Sequence, residues 1–265
     1  DQRRQNSFHC HFENTKRYVQ ESAAIQSRSK RASFPNAFFS MLNFKNANIL
    51  LLCVVTAMTL KYFSAPFSPT YFILPFFIWS LLVFYGCYRI DSGFFIKIKC
   101  KEDTEEKVMS LTFDDGPSPE HTAIILDILK VNNVKATFFC IGRNIEGNED
   151  LLKRMHREGH TIGNHSYSHA FWFDLFSKTK MTRDLEQFDL KMRSIIGVRP
   201  KLFRPPYGVT NPNVKASIIN GNYFPVGWSI RSMDTVVKDK VRLLKNVSSG
   251  FAAGEVILFH DTCEI

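Results

Sequence analysis

From residue 108 onward the sequence alternates between short apolar runs bounded by turn residues and longer amphipathic stretches. Strand-like runs fall at 108–113, 135–141, 161–164, 201–204, 223–228 and 255–260. Helix-periodic stretches fall at 122–131, 149–158, 181–196, 213–220 and 236–248. This alternation constrains the fold most, because parallel strands need long crossovers and helices supply them while covering the sheet. Polar residues follow directly after the strands. A (β/α) barrel is therefore expected over an open sheet, since its C-terminal rim gathers strand ends into one mouth. There is no internal repeat and no Rossmann or phosphate-loop glycine pattern.

Five clusters end these strands. Thr112-Phe113-Asp114-Asp115-Gly116-Pro117 puts two carboxylates side by side, which repel unless a positive group lies near. It reads either as a solvated turn or as a site in which one Asp holds a metal and the other handles a proton. His165-Ser166-Tyr167-Ser168-His169 spaces two imidazoles four residues apart, one face of a helical turn, a spacing shared by metal sites and surface histidines. Arg204-Pro205-Pro206-Tyr207-Gly208 joins a rigid backbone to an Arg suited to a carboxylate, and reads alone as a stiff loop. Trp228-Ser229-Ile230-Arg231-Ser232-Met233-Asp234 and Leu258-Phe259-His260-Asp261 add an Asp and a His able to titrate near neutrality.

In this order, over roughly 108–261, the clusters resemble the polysaccharide deacetylase family, carbohydrate esterase family four with the nodulation-type chitooligosaccharide deacetylases. The resemblance implies a distorted (β/α) barrel that removes acetyl groups from N-acetylglucosamine in chitin- or peptidoglycan-like glycans. It implies Asp115, His165 and His169 as ligands of a divalent metal, most often zinc, with cobalt or nickel as alternatives. Asp114 is the implied general base and His260 the general acid. Arg204 orients Asp114, Asp234 holds His260, and the Tyr207 N–H stabilises the oxyanion. Substrate contacts are expected from Pro206, Tyr207, Trp228 and Leu258, with Leu258 at the acetyl methyl.

The chain departs from the family in two places. Arg231 and Thr235 stand where the fourth motif commonly has Asp and Trp. Relatives usually continue past the point where this chain ends, at Ile265, so the barrel reads as C-terminally truncated, with 255–260 expected as an exposed edge strand. The alternatives to a glycan N-deacetylase are an inactive truncated homologue that binds glycan or membrane, and an O-acetyl or non-sugar amide deacetylase on the same fold.

Ahead of the barrel, 48–63 and 71–88 are almost wholly apolar. A bilayer asks for about 20 apolar residues per helix, with Trp and Tyr at the ends, and Tyr71, Tyr85 and Tyr88 mark the second run. Two transmembrane helices within 41–92 are expected, as in a membrane-anchored bacterial subgroup, rather than a buried hairpin or cleavable signal. A linker at 93–107 and a deacetylase domain at 108–265 follow. The net charge of +9 lies largely in the first forty-five residues and just after residue 88, so a membrane surface is the expected partner and nucleic acid is not. Residues 1–40 read as a basic, disordered extension, with Met41 as an alternative start. The positive-inside rule puts both ends of the hairpin in the cytoplasm, at odds with a cell-wall role, so orientation stays open. Six cysteines without C-x-x-C spacing argue against a disulfide framework or a cysteine zinc site.

Overall fold

The computed structural model describes residues 42–262; the expected extension at 1–40 and the alternative start lie outside them. Two apolar helices come first. α1 spans Phe44–Ser64, capped by the Asn43 side chain, and a 3-10 turn at Pro69–Phe72 leads into α2, Ile73–Tyr88. Trp79 Nε1 donates to Asn48 Oδ1 at 2.9 Å and ties the two helices together. Their apolar side chains point mostly away from the protein: Leu52 is 67% exposed and Phe63 80%.

The α/β part runs β1 (Ser110–Asp114), α3 (Thr122–Val131), β2 (Thr137–Cys140), α4 (Glu149–Arg157), β3 (Thr161–Asn164) and α5 (Lys178–Ile196). It continues through β4 (Leu202–Phe203), α6 (Pro212–Asn220), β5 (Phe224–Pro225), β6 (Ile230–Arg231), α7 (Lys240–Ser248) and β7 (Val256–His260). The seven strands are parallel, in the order β5-β4-β3-β2-β1-β7-β6. Its two outer strands, β5 and β6, are only four residues apart in the chain. That tether is at most about 18 Å long, so the sheet must curl into a distorted barrel.

Period-two alternation sorts the side chains. Leu111, Phe113, Ile257 and Phe259 face the helices and join Phe138, Leu126 and Phe188 in the core. Phe113 stacks between Phe138 and Phe259 at centroid distances of 5.2 and 5.7 Å. The residues between them, Thr112, Asp114, Leu258 and His260, take the other face, and the ladder sets Asp114 directly opposite His260.

Three expectations change here. β7 lies between β1 and β6, so it is an interior strand and not an edge. The run 223–228 forms a strand only at Phe224–Pro225, because Arg204 takes the carbonyls of Val226 and Gly227 that would extend the ladder. α7 starts at Lys240, not 236, where the Asp239 side chain accepts from Arg242 N at 2.6 Å and caps it. Residues 94–102 lie along the barrel wall: Phe94 and Phe95 are buried, and Glu102 N–H donates to Gly254 O.

Candidate metal and acid–base site

Asp115 has φ 79°, a left-handed turn at the end of β1 that sends consecutive carboxylates in different directions. Its N–H donates to Phe139 O and its carbonyl accepts from Asn144 Nδ2 at 2.7 Å. Asp114 turns inward instead, and Arg204 Nη1 donates to its Oδ1 at 2.6 Å. Arg204 is fully buried. It also donates to Thr112 Oγ1 and Gly227 O and lies 4.1 Å over the Phe139 ring. Burial pushes the Asp114 carboxyl above its ordinary range, opposed by Arg204 and His260. Burial likewise lowers the Arg204 guanidinium, against the pull of Asp114.

His165 and His169 are not on a helical turn. They sit on a loop after β3, which Ser166 (φ 69°) and His169 (φ 42°) bend through left-handed backbone. Asn164 Oδ1 accepts from Ser166 N at 2.7 Å. Asp184, on α5, accepts from Tyr167 N and Ser168 N, so the loop is held on both sides. Nothing in the sequence marked Asp184, because an Asp in an amphipathic helix looks like a solvated position.

Asp115, His165 and His169 present ligand atoms all within 4.8 Å of one another. His165 Nε2 and His169 Nε2 lie 3.5 and 3.4 Å from Asp115 Oδ1. The Arg204 carbonyl can only accept, so His165 Nδ1, 2.8 Å away, carries the proton and Nε2 keeps its lone pair for the centre. Burial drives the His165 pKa down to about 3, and lowers that of His169, so both imidazoles stay neutral. One carboxylate and two neutral imidazoles fit a borderline divalent cation such as zinc.

His260 ends the neighbouring strand β7, and Asp234, in the turn after β6, grips it twice: Oδ1 meets Nδ1 at 2.8 Å and Oδ2 accepts the backbone N–H at 2.7 Å. Burial lowers the His260 pKa, but the hydrogen bond and charge of Asp234, with Asp114 and Asp115, outweigh it and leave it raised. Asp234 itself is held low by His260 against its burial. Sequence reasoning also passed over Asp261. Its Oδ2 accepts from Thr122 Oγ1 at 2.6 Å, and burial beside Asp115 and Asp114 pushes its pKa up to about 7.

Tyr207, at φ 58°, lays its ring 4.7 Å from that of His169. Trp228 covers Gly208 so closely that a Cβ there would lie 2.5 Å from its ring, and Pro206 is buried beside them. Leu258 is buried on the face that carries Asp114 and His260, and Arg231 is exposed on β6. A cleft of about 330 Å³ between α5 and α6, lined by Asp189, Arg199 and Tyr223, contains none of these groups.

A family profile for polysaccharide deacetylases matches residues 101–223. A peptidoglycan-N-acetylglucosamine deacetylase of Bacillus cereus is 38% identical over 154 residues, 58% of this chain and 56% of the relative. The peptidoglycan-N-acetylmuramic acid deacetylase PdaC of Bacillus subtilis is 35% identical over 159 residues, 60% of this chain and 33% of the relative. The chain thus spans only about a third of the second of these relatives and little more than half of the first. The solved structure of PdaC superposes with a TM-score of 0.57 at 33% identity, covering 62% of this chain and 79% of that one. A crystal structure of a peptidoglycan N-acetylglucosamine deacetylase with an N-hydroxybenzamide gives 0.59 at 34%, covering 62% and 76%. Fold, strand-end motifs and relatives agree: the chain belongs to the polysaccharide deacetylase family.

Proposed function

We propose that the protein hydrolyses the acetamido group of N-acetylglucosamine units in a peptidoglycan-like glycan, giving acetate and a free amine. The observation that carries this reading is the joining of two sets of groups. Asp115, His165 and His169 converge beside Asp114, and the sheet register puts Asp114 opposite His260. Zinc is the favoured ion at Asp115, His165 and His169, and when bound it supplies Lewis-acid polarisation of the acyl carbonyl and acidifies water.

The chain's own residues do the rest. Asp114, held by Arg204, takes the proton from the attacking water. The Tyr207 N–H donates to the oxyanion as the carbonyl carbon becomes tetrahedral. His260, kept protonated by Asp234, gives its proton to the departing nitrogen. Pro206, Trp228 and Leu258 bound the acyl and sugar-facing side. The same residues serve an amide or an ester, and a screen of N- and O-acetylated substrates separates the two.

α1 and α2 anchor the enzyme in a membrane. Each arm of the hairpin is long and apolar enough to span one: α1 with 21 residues, and the 3-10 turn together with α2, Pro69–Tyr88, with 20, each with 6% of the apolar window buried. The functional test is acetate release from an N-acetylglucosamine oligomer by the full chain in detergent. Chelator should abolish release, and zinc or cobalt should restore it. Failure of the metal-loaded protein on every acetylated glycan offered would end the catalytic reading.

A further inference from the structure

The loop between β3 and α5 carries an apolar patch that the acid–base site does not use. Phe171, Trp172 and Leu175 are 69%, 62% and 69% exposed. The rings of Phe171 and Trp172 meet edge to face at 4.6 Å, and Phe171 lies 6.3 Å from Tyr207. Tyr207 in turn packs on His169, so the patch is continuous with the rim of the site. Exposed Lys178 and Lys180 follow it, with the Lys180 ammonium 3.7 Å over the Phe176 ring. Aromatic and aliphatic side chains beside lysines make the composition of a membrane-interface segment.

The end of α2 supplies the cover. Thr210 donates from its N–H to Cys87 O at 3.0 Å and from Oγ1 to Gly86 O at 3.1 Å, both in the last turn of α2. Its neighbour Asn211 donates from Nδ2 to Asp174 O at 2.6 Å, inside the patch-bearing loop. The loop is thus bonded to the helix end through the adjacent residues Asn211 and Thr210. The 3-10 turn and α2 together, the 20 helical residues Pro69–Tyr88, extend about 30 Å, the thickness of the hydrocarbon core. The last turn of a spanning α2 therefore lies at the core boundary, where its own Tyr85 and Tyr88 are exposed. The loop then lies at headgroup depth.

We propose that Phe171, Trp172 and Leu175 insert into the interface of the bilayer that α1 and α2 span. This presses the mouth of the barrel against the membrane, so its substrate is glycan lying at the bilayer surface. The inference rests on the membrane reading of α1 and α2. Its rival is a stacking platform for sugar rings, in which Trp172 stays in water.

The chain has three tryptophans, Trp79, Trp172 and Trp228, which permits one experiment to separate the two readings. The full chain is reconstituted in phosphatidylcholine–phosphatidylglycerol vesicles containing lipids brominated at either the shallow or the deep end of the acyl chain. Trp79→Phe and Trp172→Phe variants isolate each contribution to the fluorescence. Trp79, midway along α2, reports insertion of the hairpin and should be quenched by deep bromine. Trp172 should lose about half its emission to shallow bromine and less to deep, as an interfacial side chain does. If Trp79 is quenched but Trp172 is not, the proposal is overturned while the hairpin reading stands. If Trp79 itself escapes quenching, the hairpin reading fails and takes the proposal with it.

Discussion

Asp114 and Asp115 are adjacent in sequence yet serve separate partners, because the left-handed backbone at Asp115 splits them between Arg204 and the two histidines. That split predicts separable defects. Asp114→Asn keeps an acceptor for Arg204 and should keep the metal, while acetate release falls by about 10²–10⁴-fold, the usual worth of a general base. His260 gives a second prediction, with a definite sign. With His260 as the proposed acid, the imidazolium is the form that works, so kcat/KM should fall as pH rises through its raised pKa. Asp234→Asn removes the carboxylate charge that holds the proton there. The alkaline limb of the pH–rate profile should then move to lower pH, by about one unit for each 1.4 kcal/mol of lost interaction. A limb that stays in place, or moves up, contradicts the His260–Asp234 pairing.

Among the elements, the strands that carry the motifs were legible because each is an apolar run stopped by polar or turn residues. Helices 122–131 and strand 161–164 were placed to the residue. The loops were not. The two histidines four residues apart looked helical, and only Ser166, Asn164 and Asp184 together make them a bent loop. β6 was missed because it is two residues long and has no apolar run of its own. The exposed edge expected at β7 is absent because β6 covers that side. Arg204 is the element that joins these parts, bonded to β1 through Thr112 and Asp114 and to the 226–227 segment that draws the sheet ends together. Arg204→Met should therefore cost about 3–5 kcal/mol of stability by denaturant melt, since buried Asp114 loses the partner that offsets its desolvation. Adding Asp114→Asn should return part of that loss; no recovery would mean the cost is packing alone.

For the molecule as a whole, the hairpin and barrel meet at Gly86. A Cβ at that position would lie 2.2 Å from the Phe94 ring, and Phe44 N–H donates to Phe94 O beside it. Gly86→Ala should force the helix end off the barrel, costing about 1–3 kcal/mol as overpacking does. Limited proteolysis should then cut faster within 93–107, while the arrangement of Asp115, His165 and His169 stays intact. The sequence carried the apolar runs and the motif order plainly. It did not carry the contact between α2 and the rim, because that contact is made by small and polar residues, Gly86, Thr210 and Asn211, which bear no motif. Turnover is expected only where Asp115, His165 and His169 together hold a metal ion. The direct measurement is zinc titration and acetate release run in parallel on the full chain, Asp114→Asn and Asp115→Ala. Wild type should bind zinc and release acetate, Asp114→Asn should bind without turnover, and Asp115→Ala should do neither. Wild-type zinc affinity and acetate release in Asp115→Ala would contradict the account.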